Sequence, residues 1–169
     1  LALAALERGE TVLGNEHDVV ISIRCALGLV LCRQGRHDEA EALFAELQEL
    51  SEGLSEGTHH AAAIRYNRGL NLLEGRRLDA ALPHLEAAAD QVDAVLGAEH
   101  GNTARFRSMQ AACLAAMGRT DESACLQRAA LGVMLEHLPE AHPWIATARE
   151  ELAALEGGAG PRPAPREEG

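Results

Sequence analysis

Lysine is absent from this chain: all 15 of its basic residues, set against 26 acidic ones, are arginine. Any cation here is therefore a planar guanidinium, suited to bidentate contact with carboxylate or phosphate. Positive charge is short overall, and a net charge of -11 argues against wrapping a nucleic-acid backbone or lying on an anionic membrane. Both depend on net positive surface to displace counterions. Aromatic residues make up only 2% of the chain while alanine is abundant. That composition suits close packing of helix on helix and suits β-sheet poorly. No segment approaches 18 uninterrupted apolar residues, so no membrane-spanning helix is expected. The four cysteines, Cys25, Cys32, Cys113 and Cys125, contain no C-x-x-C pair and sit in alanine- and leucine-rich segments. They read as small buried hydrophobes in a reducing cytoplasm. There is no glycine-rich phosphate loop and no G-x-S-x-G elbow, and no histidine is placed beside Cys25 or Cys32. No enzyme and no cofactor are expected.

What is present is a repeat. The junction Leu13-Gly14-Asn15-Glu16-His17 returns as Leu96-Gly97-Ala98-Glu99-His100 and as Leu138-Pro139-Glu140-Ala141-His142. A degenerate copy, Leu54-Ser55-Glu56-Gly57-Thr58-His59, fills the gap, so the leucines step by 41, 42 and 42 residues. A fixed period of this size marks an array of helical units. Apolar spacing places first helices at 18–34, 60–74 and 101–117, and second helices at 37–52, 77–95 and 120–137. Between them lie Gly35-Arg36, Gly75-Arg76 and Gly118-Arg119, glycines where a helix stops, with acids following where the next begins. Unit two has one residue fewer between Gly69 and Gly75, which predicts a locally tightened turn. Mid-helix Gly28 predicts close approach of a neighbouring helix.

The units so defined run 17–53, 58–95 and 100–137, closed by a capping helix over 142–156 and a flexible glycine- and proline-rich tail over 157–169. Residues 1–13 read as the second half of a helix whose beginning is missing, and the chain does not start with methionine. A piece of a longer polypeptide is the expectation. The uncapped first helix is also a candidate surface for self-association.

Leu27, Gly28, Gly35, Ala40 and Phe44 of unit one carry a family pattern. So do Asn67, Gly69, Gly75, Ala80 and Ala87 of unit two and His100, Thr103, Ala111, Gly118 and Ala130 of unit three. His84 and Gln127 stand where Phe44 stands. On these residues the chain resembles the tetratricopeptide repeats, in particular the 42-residue variety of kinesin light chains and many bacterial regulators. The resemblance implies an all-α solenoid, a right-handed superhelix of antiparallel helix pairs with about three full units and a half unit at each end. It further implies first helices lining a concave groove that holds a peptide or partner protein, without catalytic activity. Bacterial relatives often sit at the C-terminal end of a larger switch such as a nucleotide-binding regulator or protein kinase.

Within that frame Arg24, Arg65, Arg107 and Arg149 occupy one place in four successive first helices. They are either a row reaching the groove, reinforced by Arg68 and Arg105 and able to grip an acidic or phosphorylated partner, or a structural ladder bonded to acids such as Glu16, Glu99 or Glu140. Positions that break the repeat are the better candidates for recognition. Unit one offers Ser22, Cys25, Ala26 and Leu29. Unit two offers Tyr66, Asn67 and Leu70, and unit three Arg105, Ser108, Met109 and Ala112. Tyr66 either lines the groove or packs on the adjacent helix. Four of the eight histidines mark the starts of first helices about one repeat apart, too far to share an ion, so no metal site is expected and their work is bonding at helix N-termini.

Overall fold

A computed structural model describes Val12, Gly14 and residues 17–53 and 60–157. The opening half-helix, the junction at 54–59 and the tail beyond Gly157 lie outside the described residues. Among those described there are seven helices and no strand: α1 (Asp18–Arg33), α2 (His37–Gly53), α3 (His60–Glu74), α4 (Leu78–Leu96), α5 (Gly101–Ala116), α6 (Thr120–His137) and α7 (Pro143–Glu156). No helix among them is long and apolar enough to cross a membrane.

The junction histidines explain where first helices begin. The Nδ1 atoms of His17, His100 and His142 accept the backbone N–H of Val19, Asn102 and Trp144 at 3.1–3.2 Å. Each satisfies one of the amides that a helix start leaves without an intrahelical partner, and each must be the tautomer with Nδ1 unprotonated. Pro143 adds a preset φ at the start of α7.

The turn inside each unit is the same motif three times. Arg36, Arg77 and Arg119 donate their N–H to the carbonyls of Leu31, Leu72 and Leu114, closing the helix end with a left-handed residue just before. That residue is Gly35 in unit one and Gly118 in unit three, but Arg76, at φ 60, in unit two. Two sequence expectations are corrected here. The turn of unit two is not tightened, and Gly75 is not the counterpart of Gly35; the place belongs to Arg76. Everything after it shifts by one, so Ala81, Leu85 and Ala88, all fully buried, occupy the places expected for Ala80, His84 and Ala87. Aligning on glycine misled because left-handed backbone is a conformational requirement that an arginine also meets, at about 1 kcal/mol.

Each helix packs on its neighbours in sequence. First helices also touch one another, α1 with α3, α3 with α5 and α5 with α7, whereas α2, α4 and α6 do not approach each other. The first helices therefore form the inner layer and the second helices fan outward, which is the expected all-α solenoid of about three helix pairs. The core is a series of bridges between units. Ile64 of α3 joins Ile21, Phe44 and Leu47 of unit one. Phe106, Met109 and Cys113 of α5 join Leu82 and Leu85 of unit two, and Ile145 and Ala148 of α7 join Met134 of unit three. Within unit one the close approach falls at Gly28, where a Cβ would stand 2.5 Å from Phe44 Cζ.

Two substitutions test this account by thermal melts followed at a helical circular dichroism band. Arg76→Gly relieves the left-handed arginine and raises stability by about 1 kcal/mol, a few degrees in Tm. Gly28→Ala drives a methyl into the Phe44 ring and lowers stability by about 1–3 kcal/mol.

Candidate functional site

The arginine ladder crosses from the inner layer to the outer one. Arg24 bonds Glu46 of α2 at 2.6 Å, Arg65 bonds Glu52 of α2 at 2.7 Å, and Arg107 bonds Asp93 of α4 at 2.6 Å. Arg107 also reaches the Ala98 carbonyl at 3.5 Å. Arg149 bonds Glu140 of the junction at 3.1 Å. Arg68 adds a further tie, to Glu41 through Nε at 2.8 Å and to Gln48 through Nη1 at 2.9 Å. These contacts follow from a segregation of charge. Helices α2, α4 and α6 carry thirteen acids and one arginine, while α1, α3 and α5 carry six arginines and two acids. A protein of net charge -11 thus has an arginine-rich inner layer clipped to an acidic outer one.

Among the unit-specific candidates, Tyr66, Ser108 and Met109 are buried, and Asn67, Leu70 and Arg105 are half-buried. Met109 lies in the core cluster with Leu82 and Leu85. Tyr66 stacks on Phe106 with ring centroids 4.3 Å apart. The Arg105 guanidinium lies 5.1 Å from the Tyr66 ring centroid and 4.7 Å from that of Trp144. One arginine of α5 is thereby held between an aromatic of α3 and one of α7, on the inner layer. Phe106 and Trp144 were not candidates from the sequence. Their signal was available, since three of the four aromatic residues fall on successive first helices.

Other chemistry-bearing groups are structural in placement. Burial pushes the Cys25, Cys32 and Cys113 thiols up to about 11, so they remain protonated and poorly nucleophilic, whereas Cys125 is exposed, against the expectation of four buried cysteines. The Asn71 side-chain oxygen accepts from Cys32 Sγ at 3.2 Å and from His37 Nδ1 at 2.9 Å, while its Nδ2 donates to the His37 carbonyl at 2.9 Å. That carboxamide pins the turn of unit one to α3. In unit three the buried Gln127, at the Phe44 place, donates to Glu151 of α7 at 2.8 Å and to the Ala148 carbonyl at 3.4 Å. The fold also gathers Glu99, Glu136 and His137, whose ligand atoms lie within 4.8 Å of one another. All three are exposed, and acidic surface groups commonly meet this way without an ion.

These features define a helical-repeat solenoid whose inner layer presents an aromatic-flanked arginine and whose outer layer is acidic. The Tetratricopeptide repeat family model matches residues 19–85 and again 60–136, the two matches offset by one repeat. The chain belongs to the tetratricopeptide repeat family, and its repeats make a scaffold for protein–protein interaction. A comparison with curated proteins finds no match.

His84 offers a pH test of the packing between units one and two. Its pKa is held below the ordinary 6.5 by burial first and then by Arg68 and Arg65, against the opposing pull of Glu41 and Glu52. The unfolded chain therefore takes up this proton before the folded one does. Stability from this group is complete above the histidine range and declines as pH falls through 6.5. His84→Leu, matching Leu43 and Leu126 at the same place in the neighbouring units, flattens that part of the profile of unfolding free energy against pH, measured by urea titration.

Proposed function

We propose that this protein is a non-catalytic scaffold that holds a peptide or a segment of a partner protein against the layer formed by α1, α3, α5 and α7, with acidic or phosphorylated residues of the partner taken by Arg105. The observation that carries this reading is the stacking of Arg105 between Tyr66 and Trp144 on that layer. Stacking on aromatic faces orients a guanidinium and reduces the rotamer freedom it loses on binding. Half-buried Asn67, next in sequence to Tyr66, and Leu70, packed on the cluster that holds Tyr66 and Phe106, offer an amide and an apolar contact. The ladder arginines, Arg24, Arg65 and Arg107 tied to acids of the outer layer and Arg149 to Glu140 of the junction, serve the scaffold in this reading.

A library of acidic and phosphorylated peptides tests it, screened with the wild-type chain, with Arg105→Ala and with Arg65→Ala and Arg107→Ala. Arg105→Ala weakens the best binders by about tenfold or more, the size of a lost charge-assisted contact. Arg65→Ala and Arg107→Ala lower Tm by a few degrees and leave affinity within about threefold at temperatures where helicity holds. Binding that survives Arg105→Ala unchanged overturns the assignment.

A further inference from the structure

Helix α7 is held unlike the others. Its buried residues are Ile145 and Ala148, with Trp144 and Leu152 half-buried against the same cluster, where α5 buries nine and α4 and α6 five each. Its remaining ties to the rest of the chain include the Gln127–Glu151 bond and the Trp144–Arg105 stack. An exposed pair, Arg128–Glu156 at 2.7 Å, adds little because water screens it. An element with so little apolar burial opens locally more readily than the core it rests on. Trp144, the only tryptophan of the chain, is therefore central to its docking.

The arginine that Trp144 rests on belongs to the inner layer, and its guanidinium also lies over the Tyr66 ring of α3. The backbones of α3 and α7 do not approach each other. Arg105 is thus a bridge between a helix in the middle of the inner layer and the cap at its end. We infer that Arg105 couples occupancy of the inner layer to docking of α7: a partner held over α3 and α5 fixes the guanidinium in its stack and keeps the cap closed, and loss of the stack releases α7 as a unit. The inference rests on the groove reading proposed above. By linkage the coupling is reciprocal, so a cap loosened from behind weakens the partner's hold. Gln127 supplies that control, since it ties α7 from the second helix α6 and is absent from the Arg105 stack.

Hydrogen exchange resolved by segment, with Trp144 emission as a second readout, tests the inference on the whole chain. In the free protein, Arg105→Ala and Arg105→Lys, the latter keeping the charge but not the planar stack, speed exchange across 143–156 about tenfold and shift Trp144 emission to the red, with 18–53 unchanged. The strongest-binding acidic peptide of the library slows exchange in α7 of the wild type, and Gln127→Ala weakens that peptide several-fold. Unchanged α7 exchange in the free Arg105 variants overturns the inference. So does a peptide that binds through Arg105 yet leaves α7 exchange and the Gln127→Ala affinity as they were; the groove reading then survives alone. If no peptide binds, the groove reading fails and the coupling with it, and accelerated exchange in free Arg105→Ala then marks a purely structural tie.

Discussion

Among the described residues, no helix pair completes its core by itself. The core of unit one is completed by Ile64 of α3, that of unit two by Phe106 and Met109 of α5, and that of unit three by Ile145 of α7. Because burial of apolar area is the dominant favourable term in folding, each unit's stability depends on the docking of the next first helix. The same dependence orders the layers. First helices must lie close to close the preceding core, second helices are free to spread, and the curvature that produces an inner surface follows from that asymmetry. Gly28 against Phe44 and Gly69 against Leu85 show how tightly a pair must close within a unit before the next can seal it.

Charge follows the layers. Glu46, Glu52 and Asp93 of the second helices keep much of their contact with water while Glu41 is largely buried, and the arginines of the first helices reach across to all four. Four of the six inner-layer arginines of α1, α3 and α5 are engaged this way, which gives the layers a register without placing an unpaired charge in the core. Arg105, two residues before Arg107 and so on another side of α5, lies over the Tyr66 and Trp144 rings.

Periodicity made the helices, the N-terminal histidine caps and the turn motif legible in advance. Its one misreading, at Gly75 and Arg76, arose because residue type stands in only imperfectly for backbone conformation: the left-handed place usually selects glycine but only raises the energy of arginine. The site was legible in part. Arg105 and Tyr66 stood out as departures from the repeat, whereas Trp144 did not, because its place in α7 differs by three residues from that of Arg105 in α5.

What the sequence determined by itself was everything carried by local spacing: the 41- to 42-residue period, the all-helical class, the capping chemistry and the excess of acid on the second helices. Whether the ladder turned toward the inner surface or toward the outer helices was decided only by tertiary structure. A helical repeat specifies the angle of a side chain about its own axis, but the helix it meets depends on how successive units cross. That crossing, set by the docking of Ile64, Phe106 and Ile145 on the preceding units and by the spreading of the second helices, sends Arg107 outward to Asp93 and brings Tyr66, Arg105 and Trp144, nearly 80 residues apart at their extremes, onto one strip.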